Sequence, residues 1–155
     1  MLVRKVEFDE LHEVLDLVAV FDVNNNETPR AAYSVVSDVY SRLVASGGFI
    51  LGAYSDGRLV GTATFNLCQN FSWSCLPFAV IENLVVDENY RNNGVGKLLL
   101  QHIDKECEAN RCYKVIGMTS HRNSRAIKLY LSLGFTLDKF GIEKRYRKND
   151  NSLVY

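Results

Sequence analysis

A nearly unbroken apolar run, Phe78 to Val86, leads through Asp87-Glu88-Asn89-Tyr90-Arg91-Asn92-Asn93 into Gly94-Val95-Gly96-Lys97, and a helical pattern begins there. The run predicts a central strand buried on both faces, interrupted only by the polar pair Glu82 and Asn83. From Gly94 to Ala109 the residues Val95, Leu98, Leu99 and Ile103 recur on one helical face, and Cys112 to Thr119 reads as a further strand. A strand, a glycine-bearing turn, an amphipathic helix and a returning strand form a β-α-β unit, so the chain must build a sheet with a helix packed on it.

The other segments extend that sheet. Leu2 to Phe8 alternates as a strand, and Asp9 stands where an N-cap would start a helix carrying Leu11, Val14, Leu15 and Val18. After the polar loop Asn24-Asn25-Asn26-Glu27, Thr28 and Pro29 fit an N-cap and first helical position, with the helix running to about Ser46 and ended by Gly47-Gly48. Phe49 to Tyr54 and Arg58 to Phe65 form two strands joined by Ser55-Asp56-Gly57, whose Asp-Gly step suits a tight hairpin. Asn66 to Pro77 has no clear period and reads as a loop or irregular strand, with Phe71 and Trp73 available to line a site. A shorter helix from about Ser124 to Leu133 ends at Gly134, and Phe135 to Phe140 with Ile142 to Arg147 predicts a closing hairpin.

Bulk properties exclude several classes of function. The 155 residues fit one domain able to bury a core without disulfides or metal. Eighteen basic residues balance eighteen acidic ones, so no broad basic field draws nucleic acid or an anionic membrane. Charges interrupt the apolar start Met1-Leu2-Val3-Arg4-Lys5-Val6-Glu7, and no stretch reaches membrane-spanning length, so a cytoplasmic protein is expected. Cys68, Cys75, Cys107 and Cys112 lack the spacing of a zinc site and are read as reduced, inert thiols, with a reactive thiol as the alternative. No metal ligand set is expected.

The turn before the long helix has a defined chemistry. A helix start exposes unpaired backbone N–H groups and the positive end of the dipole, and glycine lets a ligand approach the main chain. Residues Arg91, Asn92, Asn93, Gly94, Val95, Gly96 and Lys97 therefore form a candidate pyrophosphate nest, with Arg91 and Lys97 either adding charge or standing as solvated surface cations. No third glycine arrives to complete a dinucleotide-binding G-x-G-x-x-G, and the Gly-Lys-Ser/Thr ending of a P-loop is absent, which argues against NAD or ATP. Two glycines spaced this way occur by chance about once in a chain this long, so the turn alone leaves an ordinary strand-to-helix connection open.

Further on stands Asn123-Ser124-Arg125-Ala126-Ile127-Lys128-Leu129-Tyr130-Leu131-Ser132-Leu133-Gly134-Phe135. Arg-x-x-Gly-x-Gly opening one helix, followed by Asn, Ala, Tyr and Gly-Phe at these spacings, resembles the acetyl-CoA-binding motifs of the GNAT superfamily of N-acetyltransferases. Ile81-Glu82-Asn83-Leu84-Val85-Val86 and Cys112-Tyr113-Lys114-Val115 most resemble the branch of aminoalkylphosphonate and glucosamine-phosphate acetyltransferases. The element order β-α-α-β-β-β-α-β-α-β-β agrees with the superfamily. The resemblance implies an α/β (α+β) fold over residues 1–155, with a central mixed, mostly antiparallel twisted sheet of six to seven strands flanked by about four helices.

Helical periodicity puts Asn123, Ala126, Ile127 and Tyr130 on one face independently of that likeness, with Ala126 leaving room for a thin ligand. Tyr130 also fits a core aromatic, and Asn123 a simple cap. What the resemblance implies is transfer of an acetyl group from acetyl-CoA to a primary amine by direct attack through a tetrahedral intermediate. In that scheme the strand before the turn splays from its neighbour, the N–H of Leu84 or Val85 polarises the carbonyl, and Leu84 and Val86 pair with the pantetheine arm. Tyr130 donates to the departing sulfur, since a phenol near 10 is a weaker acid than a thiol near 8.5 and need only stabilise the thiolate.

Glu82 is the candidate base, directly or through water, and burial in an apolar strand is what would tune it; a structural ion pair is the alternative. Strand parity turns Asn83 to the opposite face, where it competes for the substrate side. His121 is a weaker candidate, and His12 and His102 are read as surface residues. A small amine metabolite is the expected acceptor, with Phe71, Trp73, Tyr33 and Tyr40 able to close a small pocket. A protein or peptide N-acetyltransferase and a non-catalytic acetyl-CoA sensor are the other readings, and a homodimer is left open.

Overall fold

The computed structural model of the chain describes residues 1–20, 30–139, 141–142 and 144. Strand β1, Leu2–Lys5, leads through a short 3-10 turn into α1, Leu11–Ala19, and α2 spans Tyr33–Ala45. Strands β2, Phe49–Ser55, and β3, Arg58–Cys68, precede β4, Phe78–Val86. Helix α3, Val95–Ala109, strand β5, Val115–Gly117, and helix α4, Ser124–Leu131, complete the order. The sheet runs β1-β2-β3-β4-β5, antiparallel except for the last pair. The β2–β3 connection is the expected tight hairpin, with Asp56 and Gly57 both at positive φ, +50° and +81°.

Two apolar layers hold the sheet. On one face Val95, Leu99, Leu100 and Ile103 of α3 pack on Ala53, Val60, Ala63 and Phe65. Leu99, Leu100 and Ile103 are fully buried, each worth roughly 1.5–3 kcal/mol of apolar transfer. On the other face Leu11 and Val14 of α1 meet Val6, Tyr54 and Leu59, with Ile50, Val36 and Tyr40 at the margin. Gly61 lies under α3, where an added Cβ would come within 2.9 Å of Val95 Cγ1, so the glycine sets how closely the helix approaches β3.

Several expected boundaries move. Five strands stand among the described residues rather than six to seven. The closing hairpin does not form at 135–139, and Phe140, Glu143 and residues 145–147 lie outside the described residues. β5 keeps only the middle of the predicted 112–119 span, whereas β3 runs three residues past Phe65. Thr28, Pro29 and the loop 24–27 lie outside the described residues; α2 starts at Tyr33 after the extended Ala32, with ψ 149°, so it begins later than the proline implied. β4 is not buried on both faces: Ala79 and Ile81 are inside on one face, Phe78 and Val80 on the other are half-buried, and Glu82 and Asn83 are exposed. No helix among the described residues is long and apolar enough to cross a membrane. The four cysteines are free, and burial pushes the Cys107 thiol up to about 12, far from a reactive thiolate.

Asp9 is not the cap expected of it. Glu7 and Glu10 form a reciprocal capping box around the 3-10 turn, with Glu7 N–H donating to Glu10 Oε2 at 2.9 Å. The same carboxylate takes both Arg4 guanidinium nitrogens at 2.6 and 2.7 Å and the Tyr54 hydroxyl at 3.0 Å. Chiefly through the Arg4 hydrogen bond, Glu10 falls from its ordinary 4.5 to about 2. A lowered carboxyl contributes stability that is complete above about 4.5 and is lost as pH falls towards 2. Thermal melts of Glu10→Gln against the unaltered protein should therefore show a gap in Tm that is largest near neutral pH and closes through that window. A gap constant across the window would refute the account.

Candidate active site

β4 and β5 pair in parallel only from Ala79–Val115 to Ile81–Gly117, and beyond that pair they share no register. Two local features accompany the parting. The β3–β4 register slips between Thr62–Val85 and Thr64–Glu82, so Asn83 and Leu84 together oppose Ala63, and Asn83 takes φ +52°. On the other side, Gly117 ends β5 against the phenol of Tyr130: an added Cβ would stand 3.0 Å from Tyr130 Oη and 3.1 Å from ring carbons. A cleft of about 220 Å³ opens between the two strands.

Its walls come from three places. β4 contributes Ile81, Glu82, Asn83, Leu84 and Val85; Met118 and Thr119 follow β5; Asn123, Ala126 and Tyr130 descend from α4. Helical spacing brings Ala126 and Tyr130 to one surface, and Asn123, just before the helix, joins them there. Met118 and Thr119 were not foreseen, because they fall in a stretch that reads as strand; the glycine immediately before them is the signal that the strand stops. Val86 and residues 91–97 do not line this cleft but lie beyond its β4 wall. Arg91 Nε donates to Val86 O at 3.2 Å, tying the turn to the strand end.

The turn itself has the form of a nest. Asn92 and Gly94 hold φ +63° and +79°, and the first helical hydrogen bond runs from Leu98 N–H to Gly94 O at 3.0 Å. The N–H groups of Val95, Gly96 and Lys97 therefore precede the helical ladder at the positive end of α3. An added Cβ at Gly94 would meet nothing within 4 Å, so open space faces the main chain there. Lys97 is exposed, and Val95 is buried in the core.

Tyr130 is 8% exposed, stacked edge-on to Phe135 with ring centroids 4.9 Å apart. Its hydroxyl makes no hydrogen bond among the described residues. Burial first, and the negative charge of Glu82 second, raise its pKa and hold the phenol protonated. Glu82 is exposed, so the burial expected of it is absent; it makes no ion pair among the described residues and is the charged side chain of the cleft. Asn123 acts as the α4 cap, its Oδ1 accepting from Ala126 N–H at 3.1 Å. Asn83 does not take the opposite face that parity assigned, since the bulge resets the count.

The remaining candidates stand apart. His121 is exposed in the turn before α4; His12 and His102 have ring nitrogens 2.8 and 2.9 Å from the carbonyls of Asp9 and Leu98. The aromatics do not close the cleft: Phe71 is 98% exposed, Trp73 stacks on Tyr113 at 5.6 Å, Tyr33 meets Phe8, and Tyr40 donates to Val6 O. No cluster of metal-ligating side chains occurs among the described residues.

Comparison with known proteins agrees with this geometry. A family profile described as the acetyltransferase (GNAT) family matches residues 12–135. Glucosamine 6-phosphate N-acetyltransferase of Trypanosoma brucei brucei is 34% identical over 79 residues, covering 51% of this chain and 52% of that protein. Spermine/spermidine N(1)-acetyltransferase of Bacillus subtilis is 30% identical over 90 residues, covering 55% and 57%. A solved candidate acetyltransferase from Agrobacterium tumefaciens superposes with TM-score 0.80 at 28% identity, over 94% of this chain and 99% of that one. The chain spans about half the length of the curated relatives it matches.

The left-handed Gly94 separates backbone strain from crowding. Gly94→Ala should lower unfolding stability by about 1 kcal/mol through its φ alone, and Gly94→Asn by less, because Asn tolerates this conformation. Denaturant unfolding checks the order; a larger loss in Gly94→Asn than in Gly94→Ala would show that space, not φ, sets the cost.

Proposed function

The chain belongs to the acetyltransferase (GNAT) family, and on that premise we propose that it moves the acetyl group of acetyl-CoA onto a primary amine of a small metabolite by direct attack. One observation carries the reading: a protonated, buried phenol and an exposed carboxylate face one cleft where two parallel strands part. The cofactor's demands fit what the chain offers. Its diphosphate suits the N–H groups of Val95, Gly96 and Lys97 and the open space at Gly94, with Asn92, Asn93 and Arg91 framing the turn. Its thin arm suits the edge of β4 at Leu84, Val85 and Val86, beside the small Ala126 and the cap Asn123.

Acetyl-CoA supplies a thioester, and the chain's own groups manage charge and protons around it. The amine is nucleophilic only when neutral, so Glu82 accepts its proton, and exposure lets it do so directly or through water and pass the proton on. The N–H of Leu84 or Val85, beyond the last β4–β5 pair, meets the charge that gathers on the carbonyl oxygen in the tetrahedral state. Tyr130 serves the leaving sulfur. Because burial raises the phenol's pKa, it acts as a hydrogen-bond donor to the thiolate rather than as an acid that surrenders its proton. Amino-sugar and polyamine acceptors in the relatives' names support a primary amine of a small metabolite.

Thiol release from acetyl-CoA, followed with spermidine, glucosamine 6-phosphate and a short peptide bearing a free N-terminus, tests the reading. Turnover with either small amine is the expected result; tight acetyl-CoA binding without any thiol release would instead mark a sensor, and release with the peptide alone a peptide-modifying enzyme. Tyr130→Phe should lower kcat by roughly tenfold or more while leaving coenzyme A affinity within about twofold, since the hydroxyl acts on charge that develops late. Unaltered kcat would remove Tyr130 from the chemistry.

A further inference from the structure

Adjacent residues on a regular strand leave opposite faces of the sheet, so Glu82 and Asn83 should not meet the same substrate. The bulge changes that. Thr64 is the Cα partner of both Glu82 and Ile50, and directly paired residues share a face. Ile50 packs with Leu11 and Val14, so the face is the one α1 covers, opposite Gly61 and α3. Asn83, at φ +52°, turns its amide to the same side, where Nδ2 donates to Thr64 Oγ1 at 3.4 Å. With that nitrogen turned to β3, the amide oxygen is the acceptor Asn83 has to offer. A carboxylate and an amide oxygen then stand on consecutive residues at the cleft, on the side away from α3 and its anion-binding turn.

Resting on the amine-transfer reading above, we propose that Asn83 is a specificity-determining residue: tethered by Thr64, it and Glu82 present acceptor oxygens that bind the incoming amine as its ammonium ion, from the α1 face. An ammonium ion carries N–H donors and a positive charge, which both oxygens match, and a substrate with an anionic group near the amine is opposed by Glu82. Glu82 takes one proton, the lone pair so freed forms the N–C bond, the C–S bond breaks with its electrons on sulfur, and the second proton that the nitrogen sheds on becoming an amide passes to the thiolate or to solvent. Asn83 changes no charge in the step and acts on where the nitrogen rests.

Three variants in the thiol-release assay test this, with spermidine and glucosamine 6-phosphate as acceptors. Asn83→Gly keeps the left-handed backbone and removes only the amide; it should raise the KM for spermidine about tenfold, as one lost hydrogen bond to a charged group does, with the KM for acetyl-CoA unchanged. Asn83→Asp should move the two acceptors in opposite directions, spermidine to lower KM and glucosamine 6-phosphate to higher, each by about fivefold; a purely structural role would move both alike. Thr64→Val should follow Asn83→Gly in direction, and Thr64→Ser should restore the unaltered KM. Unchanged amine KM in Asn83→Gly, or parallel shifts of both acceptors in Asn83→Asp, overturns the assignment while the transfer reading stands. Absence of thiol release from the unaltered protein with every amine overturns the transfer reading, and this assignment with it.

Discussion

The site depends on the loss of one strand pairing. β4 and β5 hold together through Ile81 and Gly117 and then separate, and each partner has a local reason. β4 carries a bulge that bends it and increases its twist. β5 runs into the space occupied by the Tyr130 ring, which its terminal glycine accommodates. Unpaired strand edges inside a protein are costly unless something else meets their polar groups. Here the freed edge faces an open cleft, where water or an extended ligand can serve.

Helix α3 turns that opening into a site with direction. Its fully buried face locks it against β3, and the absence of a side chain at Gly61 lets Val95 and Leu99 approach closely. The helix start is therefore held beside the end of β4, so an anion-attracting terminus and a strand edge lie next to each other. The core of the fold, rather than any residue of the cleft, sets that adjacency. On the opposite face α1 is pinned by the Arg4–Glu10–Tyr54 group, which binds the first strand to β2 and keeps that face of the sheet covered at its far end.

Elements with strong periodic signals were legible in the amino-acid sequence. β4, the β2–β3 hairpin, α3 and α4 all follow from period and turn chemistry, and the last puts Asn123, Ala126 and Tyr130 on one wall. What escaped has identifiable physical causes. A bulge adds one residue without any compositional mark, and Asn83 is not a glycine, so nothing announces its positive φ and the parity argument fails there. Glu82 reads as buried because its neighbours are apolar, yet the parting of the strands, a tertiary event, leaves it in solvent. Asp9 has the right chemistry for a cap, but the chain enters α1 through a 3-10 turn boxed by Glu7 and Glu10, and Asp9 lies inside that turn rather than before the helix. Phe71 and Trp73 resemble pocket aromatics by type alone, and type does not say which way a loop turns.

The contact between Gly117 and Tyr130 has a consequence for how this chain tolerates change. The ring and the vacancy that receives it are one shape divided between a strand and a helix, so neither position has a size of its own to conserve. A larger residue on the strand would tilt the phenol away from the opening while leaving most of the core intact. Such a protein would keep its fold and lose the aim of its hydroxyl, and a smaller ring on the helix, not added stability elsewhere, is what would accommodate it.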